Sequence, residues 1–276
     1  MLVDGNKIAK TLEEKLSTEL LFSVPKKVCF VVFGGNKRPG RESDDSATEQ
    51  FVKMKSRVAE RVGIAVDVKK YPDTKNTEEA VEIVRELGEK DYDGIVIQLP
   101  LTAGVDTQTV LDAIPAQKDI DVLGTIAKES YTKGKIDRTP PVAQAVHEIL
   151  ESCNIKLSGK KIVVVGQGRL VGEPTHLMLK RMNVPHDVVD IKTSEKGKLA
   201  LYKNADIIIS GIGVPHSIKP EMIKDGVVLI DAGASEQAGK LVGDIDPACK
   251  SRASFMTPVP GGVGPITIVS LLRNLF

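Results

Sequence analysis

Hydrophobic and polar positions divide the chain into helix-period and strand-like stretches. Asn6 to Phe22 carries Ile8, Leu12, Leu16 and Leu20 on one stripe, which predicts an amphipathic helix. Lys27 to Phe33 reads as an apolar strand. Thr48 to Val62 predicts a second helix, with Phe51, Val58 and Val62 in a narrow arc at about 3.6 residues per turn and Met54 at its flank. Then come a short strand, Ala65 to Lys69, a helix, Thr77 to Leu87, a buried strand, Gly94 to Ile97, and a helix, Thr107 to Ile114, ending before Pro115. Thr139-Pro140-Pro141 opens a helix that runs to Ser152, since proline in a first helical turn costs little. Val142, Val146, Ile149 and Leu150 form its buried side.

From there the strand–helix alternation is regular. Ile162 to Val165 is a run of four β-branched residues, as in a buried parallel strand, and a helix follows through Thr175, Leu177, Met178 and Leu179. Val188-Val189, Ala205 to Ser210 and Val227 to Asp231 are further apolar runs, and Ile268 to Leu275 is an apolar helix. The pattern predicts an α/β protein of two domains, divided just before Thr139, the second a Rossmann-like dinucleotide-binding domain.

The stretch between the strand at 162–165 and its helix carries the first chemistry. Gly166, Gln167, Gly168, Arg169 and Gly172 form G-x-G-x-x-x-G, one residue longer than the usual dinucleotide fingerprint. The turn is either a tight strand–helix connection or a pyrophosphate site at a helix N-terminus. Asp190, at the end of the next apolar run, stands at about the spacing of a ribose-binding acid. Gly211, Gly213 and Ala234 belong to small-residue turns after later strands, where backbone can approach a flat ligand. Thr257 to Thr267 holds three prolines and three glycines in eleven residues and reads as a shaped loop at a ligand site.

Composition narrows the class. The chain has 276 residues, enough for one large or two ordinary domains. A net charge of +1 and the lack of a basic block argue against a nucleic-acid partner. Aromatics make up 4% and Trp is absent, so the core rests on Val, Ile, Leu and Ala. Cys29, Cys153 and Cys249 are scattered, with neither disulfide nor zinc spacing, and His147, His176, His186 and His216 form no metal-ligand pattern. No apolar run approaches the ~18 residues of a membrane span, and the first residues do not read as a signal peptide. A reducing cytosol is the expected setting.

Three polar positions stand out in the first half. Lys55 lies inside the apolar arc of its helix, whereas Lys53, Arg57 and Arg61 do not. Either it snorkels, or it faces a cleft where desolvation lowers its pKa and suits it to proton chemistry. Gln98 ends a strand, where open α/β sheets bind ligands, and its amide both donates and accepts. Lys118-Asp119-Ile120-Asp121 places two acids on one side of an extended segment, as ring-binding groups or as solvated loop acids. The polar loop Gly34 to Ala47 is a mobile lid or a tolerated insertion.

Together, Asp93 to Leu101, Lys118 to Asp121, Val171-Gly172-Glu173-Pro174 and above all Thr257 through Thr267 resemble the methylenetetrahydrofolate dehydrogenase/cyclohydrolases of one-carbon metabolism, the bifunctional FolD family, over nearly the whole chain and in order. The resemblance implies an N-terminal catalytic α/β domain (1–137, joined by the C-terminal helix 266–276) facing a dinucleotide domain (138–265) across a cleft. It implies oxidation of 5,10-methylenetetrahydrofolate to the methenyl form and hydrolysis to 10-formyltetrahydrofolate. By resemblance Lys55 is the catalytic lysine, Gln98 tunes it, and Asp121 holds the pterin ring. Phe51, Thr48, Leu99, Pro100, Pro260, Gly261 and Gly262 would line the folate site. Gly166, Gln167, Gly168, Arg169, Gly172, Asp190, Lys192, Thr193, Gly211, Gly213 and Ala234 would hold the cofactor. NADP is the family default. NAD stays open, because Asp190 can accept from a ribose 2′-hydroxyl, while Arg169 and Lys192 can pair with a 2′-phosphate. The resemblance also implies a cytoplasmic homodimer serving purine biosynthesis, with tetrahydrofolate derivatives as its partners and no membrane.

The sequence departs from the family pattern at several points. Thr48 and Phe51 stand at its serine and tyrosine positions, and the loop before them is longer. Val122-Leu123 replaces Gly-Phe, Arg138-Thr139-Pro140-Pro141 only loosely matches P-C-T-P, and G-Q-G-R replaces an Arg-Ser pair after the first glycine. A dehydrogenase with weak or lost hydrolase activity, and a non-catalytic dinucleotide-binding relative, are the alternatives.

Overall fold

The computed structural model describes residues 1–34, 44–237 and 239–276. In chain order its elements are α1 (Gly5–Leu20), β1 (Lys27–Phe33), α2 (Asp44–Arg61), β2 (Ala65–Tyr71), α3 (Thr77–Gly88), β3 (Gly94–Ile97), α4 (Thr107–Asp112), α5 (Thr125–Thr132), α6 (Pro141–Ser152) and β4 (Ile162–Val165). There follow α7 (Gly172–Arg181), β5 (Asp187–Val189), α8 (Glu195–Asn204), β6 (Ile207–Ser210), β7 (Val228–Asp231), β8 (Ser235–Gln237), β9 (Lys240–Val242), β10 (Phe255–Met256) and α9 (Val263–Arg273). No helix among the described residues is long and apolar enough to cross a membrane.

The chain divides into two compact units, 13–140 with 271–276, and 1–12 with 141–270. The expected division near 138 lies close to the observed one. Residues 1–12 and 266–270, however, pack with the second unit and not with the first.

The first unit is built on a parallel sheet of order β2-β1-β3. Central β1 is paired on both sides, Val28 with Val66 and Gly94, Val31 with Lys69 and Ile97. Strand side chains alternate between faces. Cys29, Val31 and Phe33 therefore share one face and pack with Ile95 and Ile97 beneath Ala80, Val84 and Leu87 of α3 and Val110 and Leu111 of α4. Each such fully buried aliphatic side chain stabilises by about 1.5–3 kcal/mol. The second unit holds a parallel sheet of order β10-β7-β6-β4-β5. β4, β6 and β7 are buried along their whole lengths, as their unbroken Val/Ile/Leu runs require. The chain leaves β4 through α7 to β5 on one side, then returns through α8 to β6 on the other. The order therefore reverses between β4 and β6, which is where open α/β sheets take ligands.

The differences from expectation have local causes. α1 ends at Leu20 rather than Phe22, since Leu21 and Phe22 face solvent and have nothing to pack against. α2 begins at Asp44 rather than Thr48, and the rest of the expected loop, 35–43, lies outside the described residues. β2 continues past Lys69 because its register with β1 holds through Phe33 and Tyr71. α4 stops at Asp112, and the N–H groups of Ala113 and Ile114 close a tighter last turn onto Val110 and Leu111. α9 starts at Val263 rather than Ile268, with Pro265 inside its first turn, where no N–H is needed. The short α5, the β8–β9 hairpin and the two-residue β10 carry too little periodicity to have been foreseen.

One backbone position is out of character. Val122 is fully buried and has φ of 56°. For an L-residue the left-handed region costs roughly 1–2 kcal/mol, and for a β-branched one it is a true outlier. Burial of the side chain gives back about as much, so replacing Val122 by glycine removes two opposed effects together. The comparison with alanine is cleaner. At an ordinary site Ala is more stable than Gly, whereas here Val122→Gly should melt above Val122→Ala by about 1 kcal/mol in urea or thermal unfolding.

Candidate active site

In the first unit, Lys55 sits on the middle of α2. The buried side of that helix is formed by Val52, Val58, Ala59 and Val62, while Phe51 and Met54 lie at its open edge, Phe51 being 37% exposed. The expected arc thus loses Phe51 to the surface and gains Val52 and Ala59. Phe51 precedes Lys55 by one helical turn, so the ring and the amine share a face. Thr48 lies on the same helix, half-buried.

Lys55 Nζ donates to Gln98 Oε1 at 3.1 Å. Gln98 is fixed in turn: its backbone N–H donates to Val31 O at 2.8 Å, and its Nε2 donates to Leu99 O at 2.9 Å. The amide can therefore present only its oxygen to the lysine. The Leu99–Pro100 peptide is cis, with Leu99 half-buried and Pro100 exposed. Burial lowers the pKa of Lys55, an effect that the Asp121 charge partly opposes. Burial raises the pKa of Asp121, and Lys55 partly opposes that. The structure thus brings Lys55, Gln98 and Asp121 together, and it decides against a snorkelling lysine.

The segment bearing Asp121 is pinned from several directions. Lys118 Nζ donates to Gly88 O and Lys90 O at 2.9 and 2.6 Å. Asn274 Nδ2 donates to Ile120 O and Thr139 O, both at 2.8 Å. The two acids were expected on one side of an extended segment. Instead Asp119 is a fully buried acceptor of backbone N–H groups, and only half-buried Asp121 faces Lys55.

In the second unit the glycine turn lies at the point of sheet reversal. Gly166 has φ of 103°, and a side chain on Gly172 would come within 2.1 Å of Gly166 O. Bare backbone at both positions lets the start of α7 close onto the end of β4. Val171 offers no side-chain cap; instead Glu173 N donates to Gly168 O at 3.1 Å, which ties the glycine turn to the start of α7. Gln167 and Gly168 are exposed. Nη1 of Arg169 is buried and has no hydrogen-bond partner among the described residues. An orphaned guanidinium N–H beside a helix N-terminus fits a phosphate. Asp190 caps its own loop: Oδ1 accepts from the N–H of Lys192 and Thr193 and from the Thr193 hydroxyl, at 2.9, 3.1 and 3.1 Å. The bond from Lys192 is the main cause of its lowered pKa.

Two buried acids that sequence reasoning passed over shape the remaining turns. Asp244 accepts from Ser210 Oγ, Ile212 N and Val214 N at 2.8, 2.7 and 3.0 Å, which fixes Gly211 and Gly213. Asp231 accepts from the N–H groups of Gly233, Asp244 and Ile245, at 2.9, 3.1 and 2.8 Å. Burial pushes the Asp231 carboxyl up to about 6. The only signal in the sequence is a polar residue closing an apolar run. Ala234 is exposed beyond this anchor. Pro260 is exposed, Gly261 accepts from Gly5 N at 3.0 Å, and Gly262 is buried, all within this unit.

Comparison with known proteins agrees with both halves. Residues 3–121 match the tetrahydrofolate dehydrogenase/cyclohydrolase catalytic domain, and residues 140–276 match the NAD(P)-binding domain of the same family. The bifunctional protein FolD of Methanoculleus marisnigri is 35% identical over 280 residues, covering 100% of this chain and 95% of the relative. The chain belongs to the tetrahydrofolate dehydrogenase/cyclohydrolase family. Among solved members, the bifunctional FolD of Campylobacter jejuni superposes with a TM-score of 0.89 at 29% identity, covering 100% of this chain and 96% of that one. FolD of Trypanosoma brucei, solved with NADP and an inhibitor, gives 0.89 at 28% identity, covering 100% and 95%.

Within the family frame, the opposed effects on Lys55 make a testable sign. The ionised Asp121 supports the ammonium, so Asp121→Asn should lower the Lys55 pKa further. Reductive ¹³C-methylation followed by NMR titration should place Lys55 below the other lysines in the parent protein, and lower still in the variant.

Proposed function

We propose that this chain oxidises 5,10-methylenetetrahydrofolate to the methenyl form and hydrolyses that product to 10-formyltetrahydrofolate. The observation that carries the reading is the Lys55–Gln98 hydrogen bond facing Asp121, in a chain that matches both domains of its family. Asp121 accepts hydrogen bonds from the pterin ring. Lys55, its ammonium weakened by burial, takes a proton from the attacking water and returns one to the departing ring nitrogen. The net hydrolysis adds one water across the methenyl bridge and releases one proton. Gln98 Oε1 holds the amine in place through both transfers. Phe51 lays its ring against the pterin, with Thr48, Leu99 and Pro100 around it.

The cofactor is NADP, which when bound supplies the hydride acceptor. Gly166, Gln167, Gly168 and Gly172 would admit its pyrophosphate, and Gly211, Gly213 and Ala234 its flatter parts; Pro260, Gly261 and Gly262 stay assigned to the folate by resemblance. The free Nη1 of Arg169 suits the 2′-phosphate, with Lys192 and Thr193 beside it. Asp190 reads the ribose less well than expected, because Oδ1 is occupied by its own loop. NAD is the weaker choice for that reason. A second reading, a dehydrogenase with reduced hydrolysis, draws on Phe51, which lacks the hydroxyl of the family's tyrosine. By the family resemblance we further propose a cytoplasmic homodimer that serves purine biosynthesis. The near-neutral charge supports the absence of a nucleic-acid partner.

Two measurements check these assignments. Lys55→Met should cut methenyl hydrolysis by roughly 10²–10⁴-fold while NADPH binding stays intact, and wild-type hydrolysis would remove Lys55 from the mechanism. Arg169→Ala should weaken NADPH binding by about tenfold or more, judged by cofactor fluorescence, and NADH binding less. An equal loss for the two would put Arg169 on the pyrophosphate.

A further inference from the structure

Asp119 takes no part in the chemistry above, yet it is 1% exposed and sits two residues from Asp121. Its Oδ2 accepts from Leu123 N at 3.0 Å and from Gly124 N at 2.7 Å, and Gly124 is the residue that starts α5. Its Oδ1 is buried with no partner among the described residues. Upstream, Ile95 N donates to Lys118 O at 2.8 Å, which fixes the entry of the segment to β3. The loop from 119 to 124 is thus anchored at its start by the sheet and closed at its end by the Asp119 carboxylate. Inside that closed loop lie Asp121 and the strained Val122. A β-branched residue keeps φ near 56° only where surrounding bonds over-determine it. Two short bonds to one buried carboxylate do so here.

We propose that Asp119 is a positioning residue for Asp121: it closes the loop that aims Asp121 at Lys55. This rests on the role given to Asp121 in the proposed function. The charged groups around Asp119 are Asp121 on its own segment, Asp112 at the end of α4, which binds the N–H of Thr125 next to Gly124, and Lys55 beyond Asp121. Burial, with repulsion from Asp121 adding to it, raises the Asp119 carboxyl to about 6 against the bonds from Gly124, Val122 and Leu123.

Three variants separate positioning from mere stability. Asp119→Asn keeps an acceptor for Leu123 and Gly124 and removes only the charge. At neutral pH its KM for methenyltetrahydrofolate should stay near the parent value, because both N–H groups keep their acceptor. Asp119→Ala removes the clamp. Its KM should rise by about tenfold, with kcat changed much less. Val122→Gly added to Asp119→Ala should recover part of that loss, because glycine adopts the required φ unaided. Should the alanine variant not fold, Asp119→Ser, whose hydroxyl is too short to hold both N–H groups, is read in its place, with the same rise in KM expected. Asp121→Asn is measured beside them. If it is impaired while a folded Asp119→Ala or Asp119→Ser keeps the parent KM, Asp119 does not position Asp121. If Asp121→Asn is also unimpaired, the role of Asp121 falls, and this inference with it.

Discussion

Keeping the amine of Lys55 largely out of water is costly, and the first unit is arranged to sustain that cost. Desolvation draws the amine toward its neutral limit, and the charge of Asp121 draws it toward the charged one. Lys55 stands between these limits because each partner opposes the effect of burial on the other. Such balance requires fixed geometry, since a coulombic effect in a poorly solvated place changes steeply with distance. The rigidity comes from β1 and β3. Their register fixes the backbone of Gln98 on Val31, and the side chain of Gln98 is then held by Leu99.

Both units use the same physical device to set their loops. A carboxylate is buried where it cannot meet water, and backbone N–H groups that would otherwise be orphaned converge on it. Asp119 does this for the start of α5, Asp244 for the turn after β6, and Asp231 for the turn after β7. These acids need no cation, because the N–H dipoles replace solvation. The glycines beside them follow from the same crowding: a side chain on Gly233 would meet Asp244 Oδ1 at 2.3 Å, and one on Gly243 would meet Asp231 Oδ2 at 2.1 Å.

The parallel strands were legible because runs such as Ile162–Val165 and Gly94–Ile97 are buried on both faces and carry nothing polar. The glycine turn was legible because its bare positions answer a close approach that depends on local sequence. Lys55 could be singled out by its place among apolar neighbours, although periodicity alone left two readings of it, and its bond to Gln98 spans 43 residues that no local pattern links. Asp119 and Asp121 look alike in sequence. They differ only because one meets the N–H groups of a helix that is itself too short to be read. Asp190 was legible as a residue at a strand end, but what its oxygen touches depends on how the next three residues turn.

The order in which the chain emerges during synthesis bears on how this molecule is made. The opening residues complete the second unit: Val3 N donates to Met256 O at 2.9 Å, and Met256 N donates to Met1 O at 3.0 Å. The closing residues complete the first: Asn274 grips Thr139 and Ile120, and Leu275 packs against Gly94. Neither unit is contiguous on the messenger, so a ribosome halfway through translation displays a first unit without its clasp and an amino-terminal segment without its mate. Contacts between such distant residues form slowly, because a long chain must first close on itself. Vectorial folding, one domain at a time, is therefore not open to this protein in full. Final locking of both units waits until residues 256–276 have been made, and the nascent chain depends on shielding until then.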